Sequence, residues 1–431
     1  MRTTYEGPVV VGVREQARIV NGLLHERFER LLPRIMREAG FDMWIVVCNE
    51  DNHDPIFDTI IPWECWAPIL QIVVFHDAGP ERGIERLNIS LTDMQGLMTP
   101  VWSLDAVDTG EDKESQRANS QWSTLRTIVE ERNPTRIGID QSDVIWAADG
   151  LTATLKERLI DALGPELSAR LEPAEPMCVR WLETRLPEEL ELYHQACAVS
   201  HRIIARCFSR EVVTPGVTTC EDLRWAYWQE AADLGLEVSF PAFMFRLRGP
   251  ENRARFGDDD VIRAGDLIRC DVGLKYLRLL TDHQEVAYVL RPGESDAPQS
   301  FRDAMVQSNR LQDVFVDTWE AGLSGNEILT RALRRAIEEG IPKPKIYSHS
   351  LSHYLHEPGP LMGLPWEQTT CPGRGDVVMN YDTVYTVELS VTQAVPEWDG
   401  QEVTFAMEQD AAFTEDGPLF LDGRQTAFHL I

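Results

Sequence analysis

The sequence predicts an α+β protein of two domains, and three observations support this prediction. The chain has 431 residues, which is more than a single hydrophobic core usually organises. Helical and strand-like patterns alternate over residues 1–175, as is typical of a small α/β domain. Beyond residue 186, one helix-then-strand pattern occurs twice. We therefore expect an N-terminal α/β domain over residues 1–175 and a second domain, with an internal repeat, over residues 186–431.

In the first domain the spacing of apolar residues predicts one long helix and several strands. The helical pattern covers residues 18–39, and strand-like apolar runs follow at residues 43–47, 69–75 and 136–140. Proline, glutamate and arginine then accumulate over residues 172–187, where we place the domain boundary.

The second domain begins with a predicted helix over residues 187–207, which has proline, a good first-turn residue, at its start. In two later segments, residues 216–223 and 322–329, a glycine is followed five residues later by glutamate and seven residues later by leucine. Both segments lead through helical patterns to a Gly-Asp pair, at residues 265–266 and 375–376, and then to a strand-like run. This repetition predicts a duplicated domain with approximate two-fold symmetry.

The composition argues against several classes of partner. The formal net charge of −29 disfavours nucleic acid and anionic membranes. The N-terminus lacks a basic start followed by a long apolar run, and the longest apolar stretches are strand-sized, so we expect neither a signal peptide nor a membrane span. The eight cysteines are scattered without a Cys-x-x-Cys pair. They predict reduced, mostly buried thiols, no zinc ligation by cysteine, and a cytoplasmic location.

Four acidic residues lie inside apolar, strand-like runs, where a charge is disfavoured unless a partner satisfies it. They are Asp271, Asp282, Glu388 and Glu408. Asp271 and Asp282 flank a short predicted turn at residues 273–276, so paired strands can direct both carboxylates to one site. Repulsion raises the pKa of crowded carboxyls, and two divalent cations would remove that repulsion. The four acids, with a histidine, therefore predict a dinuclear metal site.

Three histidines follow one another in a single segment: His349, His353 and His356. A neutral imidazole can ligate a metal, and another can donate a hydrogen bond to a developing oxyanion. For the third, a space-filling role is the alternative.

The alternation of side chains along a strand predicts which neighbours of the four acids point into the site and which point away from it. If Asp282 points into the site, His283 points away, and we expect His283 to be a structural or surface residue. Asp410 shares the strand face of Glu408, which makes it a reserve ligand.

With these residues in place, the chain resembles the pita-bread metallopeptidase family, which includes creatinase, aminopeptidase P, prolidase and methionine aminopeptidase. Within the family it looks closest to Xaa-Pro aminopeptidase-like proteins, and the resemblance extends over nearly the whole chain. It implies a creatinase-type α/β N-terminal domain followed by a pita-bread catalytic domain with an internal pseudo-two-fold repeat. The metal ligands that it implies are Asp271, Asp282, His349, Glu388 and Glu408.

The resemblance leaves the histidine ligand open between His349 and His353. The histidine pattern of aminopeptidase P selects His353. We prefer His349, because the segment His356-Glu-Pro then falls where the family has its matching element. His356 and His353 are then expected as catalytic residues.

The function that the resemblance implies is hydrolysis of the N-terminal residue of short peptides, of the Xaa-Pro type. A hydroxide that bridges two divalent metal ions would attack the scissile carbonyl. Glu388 is the expected general base and His356 the expected oxyanion donor. Oxygen-rich ligation favours Mn²⁺, with Co²⁺, Fe²⁺ and Zn²⁺ as alternatives. The resemblance also implies a homodimer.

The departures from the family pattern concern the substrate rather than the metals. No histidine lies between His201 and His283, where the family carries one that contacts the substrate, and arginines occupy that stretch. Ala406 replaces an arginine, and His-Gln-Glu follows Asp282 in place of x-Thr-Arg. Two alternatives therefore stay open. One is a hydrolase or lyase acting on a small non-peptide C–N or C–S substrate, and the other is a non-catalytic family member.

Overall fold

The computed structural model describes residues 10–104 and 113–431, which divide into two units. The N-terminal unit is Gly12–Leu182, and the C-terminal unit is Glu183–Ile431 together with residues 10–11. Each unit has its own sheets and its own hydrophobic core. Among the described residues, no helix is both long enough and apolar enough to cross a bilayer.

The N-terminal unit is built on one mixed six-stranded sheet. Its elements in chain order are α1 Val13–Glu26, α2 Leu32–Ala39, β1 Met43–Asn49, α3 Pro55–Ile60, β2 Leu70–Asp77, β3 Ile84–Asn88, β4 Thr99–Pro100, α4 Lys113–Arg132, β5 Ile137–Ile139, α5 Ala153–Ser168, β6 Leu171–Pro173 and α6 Glu175–Glu183. The strand order is β4-β3-β2-β1-β5-β6. β1 lies at the centre, antiparallel to β2 and parallel to β5.

The apolar runs of the sequence account for these elements. The helix predicted over residues 18–39 is α1 and α2 joined by a π-turn, Arg27–Leu31, and the predicted strands are β1, β2 and β5. Val20 and Leu24 are buried on one face of α1, as the helical period requires. All residues of β1 except the last are buried, which is the pattern of a central strand covered on both faces.

Two buried carboxyls, Asp54 and Asp140, form a pair in this unit. Asp54 Oδ1 accepts a hydrogen bond from Ile56 N (2.8 Å), and Asp140 Oδ1 accepts one from Trp44 Nε1 (2.6 Å). Burial raises the pKa of Asp140 to about 6, and burial followed by the charge of Asp140 raises the pKa of Asp54 well above its usual range. The Oδ2 atoms of both are buried without a hydrogen-bond partner among the described residues, so we expect the two carboxyls to share one proton. Gly150 leaves space for the Asp54 carboxyl, because a Cβ at position 150 would lie 2.2 Å from that carboxyl.

The C-terminal unit contains three sheets and five helices among the described residues. Its elements in chain order are α7 Pro187–Cys207, α8 Cys220–Asp233, β7 Glu237–Val238, β8 Phe243–Leu247, α9 Pro250–Phe256, β9 Leu267–Asp271, β10 Leu274–Tyr276, β11 Leu279–Leu280, β12 Val286–Tyr288, α10 Gln299–Val316, α11 Gly325–Glu338, β13 Lys345–Ser350, β14 Glu357–Met362, β15 Thr383–Thr386, β16 Glu388–Val395, β17 Gln401–Met407, β18 Asp410–Thr414, β19 Gly417–Phe420 and β20 His429–Leu430. The sheets have the orders β11-β10-β7, β20-β12-β9-β8 and β17-β16-β13-β15-β18-β19, with β14 paired to β13.

The repeated sequence pattern corresponds to a repeated structure. Thr219 caps α8 and Ser324 caps α11, each through reciprocal hydrogen bonds with the acidic residue three positions later. Isolated β-bridges join Thr219 to Val261 and Ser324 to Val378, so each helix start is tied to the chain near the following Gly-Asp pair. The internal repeat is therefore present, and α7 is the helix predicted over residues 187–207.

The chain reversal between Asp271 and Asp282 is longer than predicted. Residues 274–276, which the sequence places in a turn, form β10 and pair with β11. The reversal lies at Leu277 and Arg278, whose φ angles of 54° and 66° suit a two-residue hairpin turn. Leucine and arginine rarely adopt positive φ, so the sequence carries no signal for this turn.

The variant Asp140→Asn tests the shared proton. The raised pKa of Asp140 favours its protonated form, so its stabilising contribution is fully present below pH ~4 and is lost as the pH rises through about 6. Asparagine needs no proton and still accepts the hydrogen bond of Trp44. From about pH 4 to about pH 7.5, the variant should gain on the order of 2 kcal/mol in unfolding free energy relative to the wild type. Denaturant unfolding at each pH measures this difference.

Asp77→Asn is the control for this experiment. A hydrogen bond from Arg37 lowers the pKa of Asp77, so the contribution of Asp77 is lost as the pH falls. From about pH 4 to about pH 7.5 this control should therefore keep a nearly constant stability difference from the wild type, because the contribution of Asp77 is lost only as the pH falls below about 4. If Asp140→Asn and the wild type had the same pH dependence, the shared proton would be contradicted.

Candidate metal centre

The five residues predicted as metal ligands lie in or beside strands of the C-terminal unit. Asp271 ends β9, Asp282 follows β11, His349 lies in β13, Glu388 begins β16, and Glu408 follows β17. Three of these residues, Asp282, His349 and Glu408, are buried, and their donor atoms all lie within 4.8 Å of one another. One cation can bridge donor atoms at that separation. The structure therefore brings these three side chains to a single point.

Gln284 connects Glu388, and the cavity that Asp271 also lines, to Glu408. Its Nε2 donates hydrogen bonds to Glu388 Oε1 at 2.8 Å and to Glu408 Oε2 at 2.9 Å. Asp271, Gln284 and Glu388 line one cavity of about 350 Å³. After desolvation, the charge of Asp271 is the next cause that raises the pKa of Glu388. All five predicted residues thus surround one site.

The backbone fixes the carboxylates where the four-stranded and the seven-stranded sheet meet. Gln284 and Glu408 exchange two backbone N–H···O hydrogen bonds of 3.1 and 3.0 Å. Gly273 allows the chain after β9 to approach the segment after β11, because a Cβ at Gly273 would lie 1.9 Å from the Thr281 carbonyl oxygen. The Asp-x-Gly spacing therefore has a physical purpose, which is to bring the two aspartates together.

The four carboxyls repel one another in this arrangement. Desolvation raises the pKa of Asp271 to about 6 and the pKa of Glu388 to about 8. Desolvation and then neighbouring carboxylates raise the pKa values of Asp282 and Glu408 well above their usual range. Asp282 Oδ1 and Glu408 Oε1 are buried without a hydrogen-bond partner among the described residues. Carboxylate oxygens in such surroundings fit divalent cations, which supply the missing positive charge.

His349 presents a lone pair to these acids. Its Nδ1 lies 3.1 Å from the carbonyl oxygen of Ser350, so Nδ1 carries the proton and donates it. Nε2 then faces the carboxylates as an acceptor, 3.9 Å from Asp282 Oδ2. Desolvation, and then the charge of His356, lower the pKa of His349 to about 3. A neutral imidazole oriented through Nδ1–H is the form that ligates a metal.

The other two histidines lie in the loop between β13 and β14. His356 is exposed, and its ring packs against the ring of His349 with centroids 4.6 Å apart. Partial desolvation, and then the charge of Arg374, lower the pKa of His356. His353 Nε2 lies 3.4 Å from Arg185 Nη1, and His353 belongs to no metal-sized group of donor atoms among the described residues. His349 is thus the histidine that lies among the carboxylates.

Gln284 and Arg269 line the cavity and were not predicted as site residues. A signal for both is present in the sequence. The strand alternation that turns Asp282 into the site turns Gln284 into it as well. Arg269 lies two residues before Asp271 and shares its strand face for the same reason.

Asp410 and His283 lie in a second group of side chains rather than with the five. With Cys197 they form another set whose donor atoms lie within 4.8 Å of one another, and all three side chains are fully buried. His283 is therefore not a surface residue. Asp410, the reserve ligand, lies beside the backbone of Asp282, since its Oδ2 accepts a hydrogen bond from Asp282 N at 3.3 Å.

A family model matches the part of the chain that contains this site. The model of metallopeptidase family M24 matches residues 191–416, which is more than half of the chain and includes all five predicted ligands. A search of curated protein sequences finds no match.

Solved structures of three peptidases are similar to nearly the whole chain. The X-Pro aminopeptidase of Thermotoga maritima has a TM-score of 0.64 at 16% identity, with 92% of this chain and 100% of that chain covered. The Xaa-Pro dipeptidase of Bacillus anthracis has a TM-score of 0.59 at 15% identity, with 96% and 100% covered. A dipeptidase of Pyrococcus horikoshii has a TM-score of 0.59 at 14% identity, with 95% and 100% covered. At such identities the likeness shows the shared fold, and the predicted α+β fold class is confirmed.

The variants His349→Ala and His353→Ala separate the two candidate histidine ligands. His349→Ala removes the imidazole that faces the carboxylates and should weaken Mn²⁺ binding by on the order of 100-fold or more. His353→Ala should keep the wild-type affinity, because His353 lies outside that group. Calorimetric titration of Mn²⁺ into metal-stripped protein measures both. Wild-type affinity in His349→Ala, with a loss in His353→Ala, would instead select His353.

Proposed function

Because the chain belongs to metallopeptidase family M24, we propose that it is a dinuclear metallopeptidase that removes the N-terminal residue of short peptides, with Xaa-Pro peptides as the substrate class. The observation that carries this proposal is the convergence of four carboxylates and one neutral imidazole around buried oxygens that lack a hydrogen-bond partner among the described residues. The names of the similar structures, X-Pro aminopeptidase and Xaa-Pro dipeptidase, support the substrate class. A homodimer and a cytoplasmic location stay predictions.

Two divalent cations suit the charge of this donor set, and Mn²⁺ is the ion that we propose. The residues that would hold them are Asp271, Asp282, His349, Glu388 and Glu408. Their four carboxylates carry about four negative charges when ionised, which two divalent cations balance. Oxygen donors favour a hard ion such as Mn²⁺ over an ion that prefers sulfur. When bound, the cations lower the pKa of water and polarise the scissile carbonyl.

Glu388 is the residue that we assign as general base. It is half-buried and lines the cavity at the start of β16. The hydrogen bond from Gln284 to Glu388 Oε1 fixes the carboxylate. Its other oxygen takes the proton of the attacking water and delivers it to the leaving amine nitrogen. Gln284 also holds Glu408, so the two glutamates keep a constant spacing.

His356 and His353 are assigned to the substrate side of the site. The ring of His356 lies against His349 and the residue is exposed, so we assign its N–H to the oxyanion that develops on the scissile carbonyl. One such donor contributes roughly 3 kcal/mol to the transition state. His353, beside Arg185, lies in the same loop and is assigned to binding of the peptide.

Arg269 supports a preference for short substrates with a free carboxylate. Its side chain lines the cavity with Asp271 and Glu388, and its guanidinium lies 4.5 Å above the ring centroid of Phe245. Arg269 Nε is buried without a hydrogen-bond partner among the described residues. A carboxylate at the end of a dipeptide would supply that partner through charge-assisted hydrogen bonds.

A panel of peptides tests the proposed reaction. Mn²⁺-loaded protein should release the first residue from Xaa-Pro dipeptides and from longer peptides with proline in the second position. Mass spectrometry of the products identifies the bond that is cleaved, and metal-stripped protein is the control. If the loaded protein released no N-terminal residue from any peptide, the alternative of a small non-peptide C–N or C–S substrate would replace this proposal.

His356→Ala tests the assigned oxyanion donor. The variant should lower kcat by about 100- to 1000-fold, because one hydrogen bond to the transition state is lost. Mn²⁺ affinity should stay at the wild-type value, since His356 is not among the proposed ligands. His25→Ala, which removes an exposed histidine of α1, is the control and should leave kcat unchanged. Full kcat in His356→Ala would refute the assigned role.

Arg269→Gln tests recognition of the carboxylate. The variant should raise KM for an Xaa-Pro dipeptide by about 10- to 100-fold, the effect of losing a hydrogen bond to a charged group. KM for the corresponding dipeptide amide should change little, because the amide lacks the negative charge. The ratio of the two KM values separates substrate binding from an effect of Arg269 on the nearby acids. Equal changes for both substrates would contradict this role.

A further inference from the structure

A second group of metal-ligating side chains lies next to the proposed dinuclear site. Cys197 comes from α7, His283 precedes β12, and Asp410 begins β18. Cys197 Sγ lies 3.4 Å from Asp410 Oδ2, and His283 Nε2 lies 3.8 Å from the same oxygen. Tetrahedral zinc, with bonds of about 2.0–2.3 Å, spaces its ligand atoms about 3.3–3.8 Å apart. Both of these separations fall within that range.

Two polar atoms of this group have no hydrogen-bond partner among the described residues. They are His283 Nε2 and Asp410 Oδ1, and both are buried. The 3.8 Å between His283 Nε2 and Asp410 Oδ2 is too long for a hydrogen bond. Ser200 Oγ lies 3.1 Å from His283 Nδ1, which orients the ring so that Nε2 faces Asp410 and Cys197. Buried polar atoms without partners are destabilising, and one cation would satisfy both.

We propose that Cys197, His283 and Asp410 bind a third divalent cation, zinc, separate from the two cations of the dinuclear site. A thiolate and an imidazole are ligands that zinc prefers, whereas the oxygen-rich dinuclear set favours Mn²⁺. The thiolate and the carboxylate together balance the charge of the ion. On binding, the cation replaces the thiol proton of Cys197 and any proton on Asp410, and these protons pass to solvent.

This site revises the expectation that no cysteine ligates zinc. All eight cysteines are free thiols, and seven of them are buried. A search for Cys-x-x-Cys pairs cannot find a site that uses a single cysteine. The other two ligands lie 86 and 213 residues further along the chain, so local spacing gives no signal.

The zinc has a structural role beside the catalytic residues. Asp410 Oδ2 accepts a hydrogen bond from Asp282 N, and Asp410 lies two residues after Glu408. α7, which carries Cys197, contributes none of the five proposed ligands of the dinuclear site. The zinc therefore anchors α7 to both segments that carry those carboxylates. Its loss should lower the thermal stability of the protein.

Cobalt substitution tests the zinc site with a matched pair of variants. Cys197 and Cys207 are both buried on α7, but only Cys197 belongs to the group. Thiolate ligation of Co²⁺ gives a charge-transfer band in the near ultraviolet, and none of the five dinuclear ligands is a cysteine. The band should appear in the wild type and in Cys207→Ala and should be absent from Cys197→Ala. Elemental analysis should find about one zinc per chain in the wild type, retained after exchange into Mn²⁺ and lost in Cys197→Ala.

Two results would overturn the zinc site: a wild type without the band, and a Cys197→Ala protein that retains it. If Cys197→Ala does not fold, Cys197→Ser, which keeps the size of the side chain, gives the same comparison. The variant Glu408→Gln distinguishes a failure of the zinc proposal from a failure of the proposed peptidase function. It should lose Mn²⁺ binding and peptidase activity but keep the charge-transfer band of Co²⁺ bound to Cys197. A wild type that keeps the band but takes up no Mn²⁺ counts against the dinuclear proposal alone.

Discussion

The mutual repulsion of four acidic side chains, gathered where two sheets meet, is the constraint on which the rest of the catalytic unit depends. Asp271, Asp282, Glu388 and Glu408 are all acceptors when ionised, and desolvation raises the pKa of each. His349 adds a lone pair rather than a donor. The hydrogen bonds from the Gln284 side chain reach only two of these acids. Divalent cations, as we propose, would neutralise the carboxylates and accept the lone pair of His349 at the same time.

The internal repeat explains how the fold assembles such a set. The first repeat supplies Asp271 and Asp282, and the second supplies Glu388 and Glu408, so each half brings two carboxylates to the junction. The reciprocal backbone bonds between Gln284 and Glu408 join the two halves at that point. Each repeat thus contributes one pair of acids to the same site. The segment after β13, which belongs to the second repeat only, carries His353 and His356, the two histidines that we assign to the substrate.

Features with a local signal could be predicted from the sequence. α7 begins at a proline, and the two capped helices, α8 and α11, repeat one sequence pattern. An acidic residue inside an apolar strand is rare enough to be a signal in the sequence. Features that depend on distant contacts could not be predicted. The turn at Leu277 and Arg278 uses residues that seldom adopt positive φ. Cys197, His283 and Asp410 come together only through the tertiary structure.

Diffraction from crystals of the Mn²⁺-loaded protein, recorded near the manganese absorption edge, tests the central claim most directly. The account predicts two anomalous peaks among Asp271, Asp282, His349, Glu388 and Glu408, each within about 2.0–2.3 Å of oxygen or nitrogen atoms of these side chains. A map without peaks there, or carboxylates turned away from one another towards solvent, would contradict it.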